Sequence, residues 1–418
     1  MTSTTNKKVI LPPVNLAVIF DQTLSTGGAY QQALNVAISI NSAKKNKHFR
    51  PIFFTIYDEN VAVLKNYGID AIFVKLSKFG RLWLKARGSI NSRRVLNYVQ
   101  KFIGLNKFES KLIQNNVDLV YFISPSGWSV YLEKLNYITT VWDLCHRDAQ
   151  EFPEVYADRI FEQRENLYQK TLIKAVAIIA DSELGKNNIT RRYLVDESRV
   201  YAIPFSPAIS VMNNNETDFS IINEKFGIIN DYIFYPAQYW AHKNHAYILQ
   251  GIKVLKDKHN IELDVVFSGG DAGNLDYIKS IVHTLDLTKQ VYFLGFIDND
   301  DVVSLYKNSL ALVMPTYFGP TNIPPIEAFA LGVPVLYSDL PELRDQVRGA
   351  ALLLDLKNPE SLSDHLHELI DNPNLREKLI QSGHKKIDMN ASNLHIETIE
   401  SICADFQVRM YCWKNDTF

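Results

Sequence analysis

Cysteine is nearly absent from this chain. Its three cysteines, Cys145, Cys403 and Cys412, form no CxxC pair, so they build neither a disulfide framework nor a structural zinc site, and a reducing compartment is the expected setting. Long apolar runs are missing as well. No stretch approaches the roughly 18 apolar residues of a membrane span, and the N-terminal MTSTTNKK lacks the apolar centre of a signal peptide. The expected location is therefore cytoplasmic, or at the inner face of the plasma membrane. An excess of one charge is lacking too. Basic residues number 44 and acidic residues 46, for a net charge of −2, which leaves no global field to recruit nucleic acid. With 18 Gly and 16 Pro in 418 residues, low complexity is excluded, and no short tandem repeat points to a solenoid.

What is present is ample material for packed cores. A hydrophobic content of 46% with 11% aromatics excludes a disordered chain. The length of 418 residues exceeds the roughly 250–300 at which one core stops growing, so two domains are expected. Short runs rich in Val, Ile, Phe and Tyr alternate with helical segments, the pattern of βα units and a mainly parallel sheet. Strands are expected near 15–20, 52–57, 71–74, 118–123, 138–142, 177–180 and 200–203. A second set is expected near 232–235, 263–267, 291–294, 311–314, 333–336 and 351–354. Between the sets stand Pro204-Phe205-Ser206-Pro207 and a polar stretch to Ser220, which mark a hinge. The expected fold class is α/β, with one Rossmann-like domain over 1–206 and a second over 207–393. A closing helical segment, 394–418, carries Ile396, Ile399, Ile402, Phe406 and Met410 at helical spacing and is expected to pack back on the first domain.

Ligands of open α/β sheets bind at the carboxyl ends of the strands, so the loops there hold the candidate residues. The run from Pro315 to Pro334 begins at a strand end, contains Gly319 and opens a helix near Pro324 or Pro325. Free amides at a helix start attract anions, and Glu327 in its first turn either complements the dipole or accepts ligand hydroxyls. The loop Gln238-Tyr-Trp-Ala-His242-Lys243-Asn244-His245 offers a Lys that either neutralises a phosphate or sits in solvent. After the first strand, Gly27-Gly28 allows close backbone approach to a ligand. The loop Asp143-Leu-Cys145-His146-Arg147-Asp148 gathers titratable groups without metal-ligand spacing. Asp143 and His146 either bind sugar hydroxyls or cap a buried network.

Taken in order, these loops resemble retaining glycosyltransferases of the GT-B fold, glycosyltransferase family 4 in particular. The resemblance rests on Gly27-Gly28, the Trp-Asp-Leu-Cys-His segment at 142–146, Ala180-Asp-Ser-Glu, the proline hinge, the Lys243 loop, Leu294-Gly295-Phe296 and the run from Phe318-Gly319 to Pro324-Pro-Ile-Glu327-Ala. It covers nearly the whole chain. It implies two Rossmann-like doubly wound domains facing a central cleft. The implied reaction moves a hexose such as mannose or glucose from a GDP- or UDP-sugar to a saccharide acceptor, with retention and no metal, in cell-surface polysaccharide synthesis. By the same resemblance, Asp143, His146 and Glu327 are the catalytic candidates. Gly27, Gly28, Gln238, Lys243, Gly295, Phe296, Thr321, Asn322, Ile323 and Glu327 are the candidates for donor binding, with Lys243 on the diphosphate, Glu327 on the ribose and the 295–296 segment at the base. Two departures stand out. The first glutamate of the family's pair falls at Gly319 or Thr316, depending on the register, and the arginine that precedes the Lys falls at Gln238. They support an alternative, a catalytically silent scaffold that binds nucleotide sugar or a partner transferase.

Between Ala71 and Phe108 lie Lys75, Lys78, Arg81, Lys85, Arg87, Arg93, Arg94, Lys101 and Lys107 with no Asp or Glu, interleaved with apolar residues including Trp83 and Phe102. Such a run either lies on an anionic membrane surface, as suits a lipid-linked acceptor, or forms a solvated helix face. No nucleic-acid-binding module is recognisable in it.

Overall fold

The computed structural model describes residues 11–24, 28–75, 107–213, 217–319, 321–387 and 391–413. The basic run from Lys78 to Lys101, and with it most of the expected membrane surface, lies outside these residues, as does Gly27. Packing divides the chain into two units. The first comprises 1–142, 165–203 and 390–418, and the second comprises 143–164 and 204–389. Residues 143–164, which the sequence pattern leaves within 1–206, thus group with the second unit. The hinge itself divides between Ile203 and Pro204.

The first unit is built on a parallel sheet of β1 (Val14–Phe20), β2 (Phe49–Thr55), β3 (Ala71–Phe73), β4 (Leu119–Phe122), β5 (Asn136–Val141), β6 (Ala177–Ala180) and β7 (Val200–Ala202), in the order β3-β2-β1-β4-β5-β6-β7. Strand β1 shows why the run was readable: Leu16, Ala17, Val18 and Ile19 are fully buried, as a strand covered on both faces requires. Strand β2 begins three residues earlier than its apolar run. Pro51 is tolerated because β3 joins only at Phe53, opposite Ala71, so the proline faces no ladder partner on that side. The helix Ala391–Met410 packs on the helix Gly28–Ser42 and on β1 and β2, burying Ile399, Ile402, Cys403 and Phe406. His395 on it meets the Tyr121 hydroxyl at 3.0 Å.

The second unit repeats the design with β8 (Tyr232–Pro236), β9 (Asp264–Ser268), β10 (Val291–Phe293), β11 (Ala311–Met314), β12 (Val335–Ser338) and β13 (Ala351–Leu354), again all parallel, in the order β10-β9-β8-β11-β12-β13. Strand β12 starts at Val335 and not at Val333, because Pro334 in front of it has no N–H to give the ladder. The strand order reverses between β1 and β4 in the first sheet and between β8 and β11 in the second. At such a reversal the following loops part to opposite faces and leave a crevice. The Lys243 loop follows β8 and the Pro315–Asn322 loop follows β11, so both open on the reversal of the second sheet.

Candidate functional site

The site in the second unit starts with how the chain leaves β8. Gly269, after β9, holds φ +143°, and a Cβ there would lie 2.5 Å from the Ala237 carbonyl oxygen, so only glycine lets the two strand ends close up. Gln238 accepts a hydrogen bond from the indole N–H of Trp240 at 2.9 Å. One short turn, Ala241–Lys243, follows, and Asn244 in the left-handed conformation (φ 54°) starts the helix His245–His259. Beneath the turn, the Tyr235 hydroxyl donates to the Lys243 carbonyl at 3.0 Å.

The loop after β11 is tied to that turn. The Tyr317 N–H donates to the His242 carbonyl at 2.9 Å, and the buried Thr316 hydroxyl donates to the Phe318 carbonyl at 3.1 Å. Gly319 sits at φ +111°, and a Cβ on it would meet the Asn322 amide at 2.8 Å. Asn322 donates through Nδ2 to the Gly319 carbonyl (2.8 Å) and to the Tyr337 hydroxyl (2.7 Å). Its Oδ1 is thereby aimed at Lys243, whose Nζ donates to it at 3.2 Å. The helix after the loop spans Ile323–Ala330, one residue earlier than the prolines suggest. It offers fewer amides than a helix start normally does, since Pro324 and Pro325 have none and the Asn322 N–H is taken by Gln346 Oε1 at 3.0 Å. Thr321 lies in the same loop, half-buried.

Burial dominates the electrostatics of this crevice. It pushes the Lys243 ammonium down to about 8, against the pull of Cys145, Asp143 and Glu154 nearby. It also lowers His242 to about 4, aided by Lys243 and opposed by the hydrogen bond to Glu154. His242 is accordingly neutral, and its Nδ1–H donates to Glu154 Oε1 at 2.5 Å. Glu327, in the second turn of its helix, is 8% exposed and accepts from the Tyr306 hydroxyl at 3.1 Å. Desolvation raises its carboxyl to about 7, more than that hydroxyl and the Ala208 backbone lower it.

Residues 143–164 complete the surroundings of Lys243. Burial works against the Asp143 charge, but the Arg164 guanidinium, bonded to Oδ1 at 2.6 Å, holds the carboxyl below its usual range. The same oxygen accepts the Cys145 N–H at 3.0 Å, and burial pushes the Cys145 thiol up. His146 is fully buried and packs against Phe161 at 5.6 Å. Further on, Phe152 meets Phe318 edge to face at 5.7 Å, and Phe318 stacks on the His242 ring at 3.8 Å. Motif reading missed Glu154, Arg164 and Tyr306. For Glu154 a signal existed: Phe152-Pro153-Glu154 has the shape of a helix start, and Pro153–Tyr156 is a helical turn.

The remaining candidates fall into two places. Gly295 (φ +66°) and Phe296 lie beside the Lys243 loop's neighbours: the Gly269 N–H donates to the Gly295 carbonyl at 2.8 Å. The Phe296 ring, 58% exposed, covers Gly270, where a Cβ would meet it at 2.6 Å. Gly28 opens the helix Gly28–Ser42 in the first unit. The second unit thus brings together Lys243, Asn322 and Asp143 with Glu154, in a crevice holding one ammonium group, fixed amide and carboxyl oxygens and an exposed aromatic ring some way along the sheet edge. Chemically, it can accept an anion at Lys243 and hydroxyls at the carboxylates.

Residues 221–386 match the family model described as glycosyl transferases group 1. The chain is 27% identical to the O-antigen chain mannosyltransferase RfbU of Salmonella typhimurium over 228 residues, 53% of this chain and 58% of that protein. It is 21% identical to O-antigen chain mannosyltransferase B of Escherichia coli over 241 residues, 57% of this chain and 62% of that protein. The matches therefore span less than two thirds of these relatives' own lengths. Among solved structures, Anabaena HepE in complex with UDP-glucose superposes with a TM-score of 0.68 at 16% identity, covering 92% of this chain and 99% of that one. A glycosyltransferase from Rickettsia africae superposes with a TM-score of 0.67 at 15% identity, covering 94% and 98%. Two parallel α/β units with such neighbours define the fold as GT-B, and the family match falls within the second unit.

Proposed function

We propose that this protein is a retaining, metal-independent glycosyltransferase of family 4 that moves a hexose from a GDP- or UDP-sugar to a saccharide acceptor in surface polysaccharide synthesis. The observation that carries the reading is the half-buried Lys243 bonded to the buried Asn322 at the strand-order reversal of the second sheet. A desolvated ammonium whose partner in the crevice is a neutral amide oxygen gains strongly from a diphosphate. In transfer, the bond from the anomeric carbon to the diphosphate oxygen breaks, the acceptor oxygen bonds to that carbon, and the acceptor proton leaves. Negative charge grows on the departing diphosphate, so Lys243 stabilises the transition state more than the ground state. Ile323 and Thr321 border the same anion position, Glu327 accepts ribose hydroxyls, and Gly295 and Phe296 lie against the base. Asp143 and His146 serve the sugar. The mannosyltransferase relatives and the UDP complexes of structural neighbours support this choice of substrates.

The test is transfer or donor hydrolysis with a panel of nucleotide sugars, with and without a chelator. Lys243→Ala and Glu327→Ala should each lower turnover by about a hundredfold while circular dichroism shows both variants folded, and the chelator should change nothing. Full activity in both variants would overturn the assigned roles. Gln238 in place of the second cation, and Thr316 or Gly319 in place of the first acid, favour a second reading, a donor-binding scaffold. It predicts nucleotide-sugar binding without release of nucleoside diphosphate.

A further inference from the structure

We propose that Glu154 is a positioning residue for Lys243: by taking both N–H groups of His242 it fixes the short turn that presents the ammonium to a diphosphate. The inference rests on the donor-binding reading above. One carboxylate oxygen, Glu154 Oε1, receives the backbone N–H of His242 at 2.9 Å and its ring Nδ1–H at 2.5 Å. The two side chains are 9% and 10% exposed, so water does not compete for these bonds. The ring is stacked on Phe318 with an interplanar angle of 16° and meets the edge of Phe152 at 6.4 Å. On the other side of the residue, the His242 carbonyl receives the Tyr317 N–H at 2.9 Å. Every polar group of the His242 backbone, and one face of its ring, is thereby held, and Lys243 is the next residue.

A lysine on a free turn must be ordered when its anion arrives, and ordering beforehand lowers the cost of binding. Tyr235 fixes the Lys243 carbonyl from below, and Glu154 fixes the preceding residue from the side. The carboxylate also lies close enough to Lys243 to raise its pKa, so charge and geometry need to be separated. A glutamine keeps one oxygen in place for both N–H groups and removes the charge. Alanine removes both and leaves two buried donors unpaired.

The experiment is calorimetric titration of UDP and of GDP into wild type, Glu154→Gln, Glu154→Ala, Lys243→Ala and the double variant Glu154→Ala/Lys243→Ala. Glu154→Ala should weaken the better-bound nucleotide by about tenfold or more, and Glu154→Gln by less than about threefold. In the Lys243→Ala background Glu154→Ala should cause no further loss, because the two act through one contact. Wild-type affinity in Glu154→Ala, or losses that simply add in the double variant, would overturn the inference and leave the donor-binding reading standing. A wild type that binds neither nucleotide would overturn both.

Discussion

A carboxyl group at position 327 with little water and one hydroxyl donor imposes a pH dependence on the whole fold. Its pKa stands at about 7 in the folded chain against an ordinary 4.5. Between those values the folded state holds a proton that the unfolded state has lost, so stability falls as pH rises through that window. The shift corresponds to at most about 3 kcal/mol. Glu327→Gln should therefore be more stable than wild type at pH 8 and nearly equal to it below about pH 5, as read by urea unfolding at both values. A stability difference that is the same at both pH values would contradict the burial argument. A residue that costs stability at neutral pH fits a binding role more easily than a packing one. At this scale the sequence made the site half legible. Lys243 and Asn322 stand in loops that motif and strand ends pick out, and Glu327 stands in the helix that follows one of them. Glu154 and Arg164 act across 88 and 21 residues of chain, and no local pattern records such pairings.

At the scale of elements, burial on both faces made the parallel strands readable, because strands such as β4, β8 and β11 are continuous apolar runs bounded by polar turns. Errors fell at proline, where ladder chemistry and not hydropathy sets the boundary: Pro51 is admitted at an edge and Pro334 is excluded from a strand. Helical spacing was equally informative for Ala391–Met410, whose Ile399, Ile402 and Phe406 face the first unit. That stripe is a stabilising contact of ordinary size, at about 1.5–3 kcal/mol for each large side chain buried. Phe406→Ala should destabilise by about 3–5 kcal/mol, and limited proteolysis should show cleavage appearing first among residues of the first unit. Loss confined to the second unit would show that the helix has been assigned to the wrong partner. The residues 143–164 behaved differently. Their spacing resembles an ordinary strand-to-helix connection, yet Glu154 and Phe152 bind them to the loops of the second unit. The partners that decide this lie in sequence segments far away.

Over the whole molecule, the chain forms its two units from five segments, although the core of the second, from Ile222 to Leu379, comes from one of them. The first needs residues beyond 390, and the second needs 143–164 to flank Lys243. Such long-range closure slows folding relative to local contacts and gives substitutions in one segment effects on another. It also concentrates function. The strand-order reversal of the second sheet gathers the Lys243 turn, the Asn322 loop and the residues after β5 into one crevice, whose half-buried ammonium has, among the described residues, an amide and not a carboxylate within bonding distance. On the proposed function, a nucleoside diphosphate supplies the missing charge. The most direct test is thermal unfolding of wild type and Lys243→Ala with a panel of UDP- and GDP-sugars. Ligand that binds only the folded state raises the midpoint, so at least one of these sugars should raise it by several degrees in wild type, about 2–8 °C for 1–2 kcal/mol of linkage, and by far less in the variant. An unchanged wild-type midpoint with every nucleotide sugar, or an equal rise in Lys243→Ala, would contradict the account.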